Sequence, residues 1–403
     1  MNRFAGEKIH MNTHPVPFRS QLGALLFLTA IFCLNFIARI LMAPLIPSIE
    51  AELGVTHAEA GSLFLWISLG YFITLLGSGF VSTRLTHRGT IILSATTLGL
   101  VLMGISLCER IGTIRWAVFL LGMAAGLYLP SGIATLTALI DAKHWGKAIA
   151  VHEQAPNIGF VAAPLICEVL LRWVSWREIL MLLGGTSILV AIAYAGLGKG
   201  GRFFGEAPGV ASFKTLFNDA AFWIMIILFS LGIAGSMGIY TMLPLYLIAE
   251  RGVDRSWANT LISLSRVPGV GMSFVAGWVN DRWGPKRTLC AVFLLSGTVT
   301  VLLGALRGFW ILIMVFLQPA IAVCFFPPAF AALSAIGPPK VRNVAVSLTV
   351  PVAFFVGGGL IPAGIGMMGD IRSFDWGIGL VGGLILMGVF LSHALRFDPD
   401  ARG

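Results

Sequence analysis

Twelve long apolar runs leave this chain very few ways to fold. They lie near residues 21–46, 59–81, 90–107, 113–139, 148–171, 178–197, 220–247, 257–279, 287–306, 309–335, 343–368 and 374–395. Most approach or exceed the roughly 20 residues a helix needs to cross the hydrocarbon core of a bilayer. They are continuous rather than alternating, and in lipid only helices or closed barrels satisfy every backbone polar group. The expected fold class is an all-α membrane protein with 12 transmembrane helices. A sequence that is 57% hydrophobic and only 11% charged lacks the polar residues to clothe a soluble domain.

The formal net charge is +9, yet its distribution points to topology and not to nucleic acid. Of the 27 Lys and Arg, about 17 fall in the N-terminus, the even-to-odd loops and the C-terminus, about 8 in the opposite loops and 2 inside spans. All seven lysines are on the first side. This positive-inside bias predicts cytoplasmic termini in a cytoplasmic (inner) membrane. The basic N-terminus precedes a run too long for a signal h-region and without a small-residue cleavage site, so it reads as an uncleaved first span. The expected organisation is a cytoplasmic tail over 1–20, a six-helix bundle over 21–197, a cytoplasmic linker over 198–219, a second six-helix bundle over 220–395 and a tail over 396–403. The five cysteines show no ligand spacing, so neither a metal, a cofactor nor a disulfide framework is expected.

A polar signature, GWVNDRWGPKR at Gly277–Arg287, separates the eighth and ninth runs. It reads as a short turn at a membrane surface. A degenerate echo, GFVSTRLTHRG at Gly79–Gly89, lies 198 residues earlier, about half the chain away, and shares Gly79/Gly277, Val81/Val279, Arg84/Arg282 and a base at Arg88/Lys286. A repeat of half the chain length suggests a duplicated bundle. The pattern, carried by Gly277, Asp281, Arg282, Gly284, Lys286 and Arg287, resembles the loop motif of the major facilitator superfamily. In the first copy Thr83 stands at the Asp position and Thr86 at a Gly position. The resemblance implies two six-helix pseudo-repeats and a role in gating for Gly79, Arg84, Arg88 and their second-copy counterparts.

Ionisable residues inside a bilayer are functional candidates, because burying charge there is expensive. Arg39 lies within the first run and Arg266 within the eighth. A guanidinium facing a cavity suits a carboxylate or phosphate, which it binds through two parallel hydrogen bonds. Arg266 corresponds to Ser68 in the repeat, so the two arginines are not repeat mates. In the fifth run, His152 and Glu153 are candidates to carry a coupled proton, the alternative being a salt bridge from Glu153 to an arginine. Glu168 and Glu59, near span ends, read as interfacial. Asn35, Tyr128, Asn157, Ser236 and Tyr240 complete the candidate substrate-binding set.

Arg39 followed by Pro47, GKAIAVHEQAPNIG at 146–159 and SWANTLISLSRVPG at 256–269 are similar to spans of organophosphate and organic-anion transporters. Ser236 stands where that branch has a second arginine, and Arg266 is closer to the placement in monocarboxylate transporters. The resemblance implies a monomeric secondary transporter that moves a small organic anion, in particular a carboxylate, with protons as coupling ion and the lipid bilayer as its surroundings. An exporter of hydrophobic or cationic compounds is the alternative, although of the Gly-Pro-rich fifth-span pattern of many such exporters only Gly159 and Pro164 are present. A membrane enzyme or sensor is a third reading, for which no catalytic motif is found.

Overall fold

The computed structural model describes residues 18–205, 217–335 and 339–395, and its regular elements are all helical, with no strand among the described residues. Nine helices among them are long and apolar enough to cross a membrane. Two of these, His57–Ser106 and Arg255–Ala305, each join two spans across one non-helical residue, Thr86 and Gly284. With the broken segment 145–170 this makes twelve spans: α1 (18–53), α2 (57–85), α3 (87–106), α4 (Ile111–Leu139), α5 (145–170), α6 (Trp176–Leu197), α7 (Ala220–Glu250), α8 (255–283), α9 (285–305), α10 (Phe309–Ser334), α11 (339–371) and α12 (Phe374–Ala394). Of the expected tails and linker, residues 1–17, 206–216 and 396–403 lie outside the described residues.

The polar signature forms less of a turn than its composition suggests. Gly277–Trp283 finish α8, Pro285–Arg287 open α9, and the chain reverses at Gly284 alone (φ 78°, ψ 162°). Glycine tolerates that backbone, and Pro285, lacking an N–H, suits the first helical position. Thr86 takes the same conformation (φ 63°, ψ 163°) at the equivalent place in the first copy. For a β-branched residue this region costs about 1–3 kcal/mol. Its Oγ1 accepts the Gly89 N–H at 3.3 Å, a helix cap that returns about 1 kcal/mol. Thr86→Gly is expected to raise the melting temperature slightly in a thermal unfolding scan. A lowered one would mean that the cap outweighs the strain.

The base shared by the two copies has one job in both. Arg88 donates to the carbonyls of Tyr194 (3.1 Å), Ala195 (2.9 Å) and Gly198 at the end of α6. Lys286 donates to the Leu395 carbonyl just beyond α12 at 3.0 Å. Each cation thus adds a donor to carbonyls at the negative end of the last helix of its bundle. Residues 198–205 return along the α2–α3 turn, where His87 and Arg88 N–H donate to the Phe203 and Gly201 carbonyls at 3.1 and 2.7 Å.

The two bundles meet along α1–α7, α2–α11 and α5–α8. At the end that bears the α1–α2, α5–α6, α7–α8 and α11–α12 connections, two acids pin the seam. Asp370 of α11 accepts the His57 and Ala58 N–H groups at 3.0 and 2.8 Å, filling the positive first turn of α2. His57 in turn pairs with Glu50 at 3.1 Å. On the pseudo-symmetric seam, Glu168 of α5 is buried and lies 3.8 Å from both Arg172 and Arg255, the latter on α8. Its placement is therefore inside a bundle contact and not at an interfacial surface. Asp370→Asn removes the charge facing the α2 N-terminus and is expected to loosen this end. A cysteine at Ser68, which lies against Gly359 in the α2–α11 seam, should then be labelled several-fold faster by a thiol reagent, in a background without native cysteines. Unchanged labelling would assign Asp370 no part in closure.

Candidate functional site

Both intramembrane arginines sit where a proline breaks a helix. Pro44 cannot donate to the Ile40 carbonyl, and α1 breaks at Leu41 between Phe18–Ile40 and Met42–Leu53. Arg39 lies two residues before the break and is 3% exposed. Its guanidinium carbon is 4.2 Å from the ring centroid of Tyr71 on α2, 5.1 Å from Phe36 and 5.7 Å from Phe354 on α11. Its Nε is buried without a hydrogen-bond partner. Arg266 is itself the break in α8, where Pro268 cannot donate to the Leu264 carbonyl. It stacks on Phe160 of α5 at 4.2 Å and on Tyr240 of α7 at 4.6 Å.

One further bond holds Arg266: its NH2 donates to the Ser236 carbonyl at 2.6 Å. Ser236 belongs to a π-helical turn, Ala234–Gly238, a local widening that redirects backbone carbonyls. Among the described residues neither arginine has an ion-pair partner. Aromatic faces return only about 0.5–2 kcal/mol to a cation, whereas taking a charge out of water costs several kcal/mol. Each charge is under-compensated as it stands.

A row of rings connects them. Phe36 meets Phe160 edge to face at 4.9 Å, and Phe160 meets Tyr240 at 4.7 Å. The Tyr240 hydroxyl donates to the Phe160 carbonyl at 3.2 Å, an oxygen left free because Pro164, four residues on, has no N–H. The arginines, one from each bundle, therefore sit at the two ends of a single aromatic contact chain.

α5 breaks at Glu153, between Trp145–His152 and Gln154–Leu170. Pro156 withholds the bond that the His152 carbonyl would receive. His152 is fully buried, and its ring stacks on Phe32 of α1 at 4.6 Å. Its Nε2 is 3.1 Å from the Tyr128 hydroxyl and its Nδ1 is 3.3 Å from Glu153 Oε1. The Glu153 side chain is 47% exposed.

Among the other expected residues, Asn35 is buried and donates to the Ala125 carbonyl at 3.2 Å. It lines a void of about 10 Å³, near the size of one water, with Ser94 and Ser187. Asn157 donates to Gln154 at 3.2 Å. Ser236 contributes its carbonyl, and Tyr128 donates to the Leu28 carbonyl at 2.6 Å. The signature residues lie apart from this centre: Arg84, Asp281 and Arg287 are exposed, Arg282 stacks on Trp278 at 4.1 Å, and a Cβ at Gly277 would meet nothing within 4 Å. Gly79 accepts the Ser82 hydroxyl through its carbonyl at 3.0 Å. Phe36, Phe160 and Phe354 escaped the sequence reading. Phe160 carries a legible signal in Pro164 four positions on, but a lone Phe in an apolar run otherwise looks like packing.

The family model described as Major Facilitator Superfamily matches residues 28–273. The chain is 24% identical over 289 residues to a probable L-galactonate transporter of Escherichia coli (strain K12), covering 65% of this chain and 62% of that protein. It is 23% identical over 299 residues to a gallate transporter of Pseudomonas putida, covering 64% of this chain and 66% of that one. These matches therefore span less than two thirds of either relative's length. A bacterial homologue of the human lysosomal transporter Spinster, in an inward-facing and occupied conformation, superposes with a TM-score of 0.82 at 16% identity, over 97% of this chain and 99% of that one. With twelve helical spans, a repeated loop signature and a family match over more than half its length, the chain belongs to the major facilitator superfamily.

Proposed function

We propose that this protein is a monomeric secondary transporter that carries a small organic anion, specifically a carboxylate, across the cytoplasmic membrane with protons. The observation that carries the reading is the pair of intramembrane arginines, Arg39 buried and Arg266 half-buried, one per bundle, that have no acid partner among the described residues and lie at the ends of one aromatic row. An anion would complete the compensation that the rings only begin. The names of the galactonate and gallate transporters, both carboxylates, support the same class. Family and relatives are transporters rather than enzymes. Arg39 and Arg266 hold the anion, with Ser236 and Tyr240 shaping the Arg266 end and Asn157 and Asn35 on the neighbouring faces. Glu153 and His152 carry the proton.

The two bundles, over 21–197 and 220–395, rock about this midplane site. The lysine bias orients both termini and the 198–219 linker toward the cytoplasm, which makes the pinned seam the outer end. The test is thermal stabilisation of the purified protein by a panel of carboxylates, sulfonates and phosphates, since a ligand that binds only the folded state raises its melting point. Stabilisation by carboxylates that disappears in both Arg39→Ala and Arg266→Ala is expected. No response to anions, with stabilisation by hydrophobic cations, would overturn the reading and favour an exporter.

A further inference from the structure

We infer that Tyr128 is a positioning residue that fixes the tautomer of His152, making the histidine a proton store with a single opening, at Glu153. The inference rests on the proton-coupled reading above and follows from counting hydrogens. The Tyr128 hydroxyl has one hydrogen, and it goes to the Leu28 carbonyl, 2.6 Å away and able only to accept. At the 3.1 Å contact between Tyr128 and His152 the phenol oxygen must therefore be the acceptor, and Nε2 must carry a hydrogen. In neutral His152 that leaves Nδ1 bare. Nδ1 faces Glu153 Oε1 at 3.3 Å, and two acceptors at that distance need a proton between them. The pair therefore holds one proton more than a neutral imidazole beside a carboxylate whenever this geometry is kept.

The surroundings decide where that proton can go. His152 and Tyr128 are fully buried, and Phe32 stacks on both, at 4.6 and 5.4 Å. The route beyond Nε2 ends at a peptide carbonyl, which cannot pass a proton on. Glu153, half exposed, is the contact with water. On entry a proton binds Glu153, the O–H bond breaks as an Nδ1–H bond forms, and imidazolium is left beside carboxylate. Release reverses the same step through the same carboxyl group. What must alternate is the side of the membrane to which Glu153 opens, and the helix break at Glu153 places a flexible joint there.

The groups facing this pair are few. They are Tyr128 on α4, Phe32 and the Leu28 carbonyl on α1, Tyr71 on α2 within electrostatic reach of Glu153, and Tyr194 on α6 within reach of Tyr128. Arg39, in turn, stacks on Tyr71. An anion arriving at Arg39 would thus be sensed at Glu153 through Tyr71.

The test has two arms. In the first, the purified protein is labelled with ¹⁵N-histidine and titrated, with His152 assigned by its loss in His152→Gln. Nε2 is expected to stay protonated throughout while only Nδ1 titrates. In Tyr128→Phe the neutral ring is expected to switch to the Nδ1–H tautomer, which donates to Glu153 and needs nothing at Nε2. A wild-type ring found as the Nδ1–H tautomer, or a tautomer unmoved by Tyr128→Phe, overturns the inference whether or not the protein transports. In the second, the Tyr128→Phe variant's uptake optimum is expected to move about one pH unit acidic, because imidazolium loses an acceptor worth roughly a factor of ten. Correct tautomers with no anion uptake at all would leave the proton store standing and sink the transport reading alone.

Discussion

Arg39→Gln is expected to reduce anion uptake about 100-fold or more while leaving the protein folded and no less stable. The guanidinium is 3% exposed, has an unpartnered Nε and is covered by rings instead of carboxylates. Removing a buried charge that lacks a partner relieves desolvation, so the melting temperature should hold or rise. The loss falls on the liganded state, where a buried charge pair is worth about 2–5 kcal/mol and each 1.4 kcal/mol is a factor of ten. Arg39→Lys should recover only part of the activity, because an ammonium offers no planar fork to a carboxylate and stacks less well on Tyr71. The Arg266 variant should be milder in binding and harsher in stability, since Arg266 also ties α8 to the Ser236 carbonyl of α7. Uptake by membrane vesicles, normalised to folded protein, reads both. Undiminished uptake in Arg39→Gln would remove Arg39 from the substrate path.

The largest effect on folding is expected at Gly122→Val. A Cβ there would lie 2.0 Å from the Ile67 carbonyl oxygen, backbone against backbone, where α4 crosses α2. No rotamer relieves a contact made by Cβ itself, so the helices must separate along their length. Overpacking of a tight interface costs about 1–3 kcal/mol for one or two methylenes, and a displaced helix pair costs more. The variant should give little monodisperse protein by size exclusion after solubilisation. Gly366→Ala is the informative contrast, because its Cβ would lie 2.4 Å from the His57 carbonyl but across the seam between bundles. Each bundle should then fold, with the damage confined to closure of that seam. A Gly122→Val protein with wild-type yield and melting temperature would show that the α2–α4 crossing tolerates far more slack than its geometry implies.

Some of this was readable in residue order because its cause is local. A run long enough to cross a bilayer needs no partner to be recognised, and the turn at Gly284 follows from Gly-Pro. The cause of each helix break is also local, since a proline withholds the bond from the carbonyl four residues back: Pro44 for α1, Pro156 for α5, Pro268 for α8. Which prolines break a helix is not local, for Pro47 and Pro164 sit inside unbroken helices, and it is the fold that shows Arg39, Glu153 and Arg266 at or beside breaks.

The partners were not readable. Tyr71, Phe36 and Phe354 around Arg39, the ring of Tyr128 against His152, and Asp370 against the first turn of α2 join residues up to 315 positions apart, the separation of Arg39 and Phe354. Tyr128 shows the limit best: in sequence it reads as a polar residue facing a cavity, and in the fold its hydroxyl is occupied by Leu28 and His152. The amino-acid sequence by itself determined how many spans there are and which charges lie within the membrane, because length and polarity act through the chain's own backbone and the bilayer. Only the tertiary structure decided what each of those charges touches. A helix sets the direction of a side chain relative to its own axis, but the neighbour in that direction depends on how all twelve helices pack.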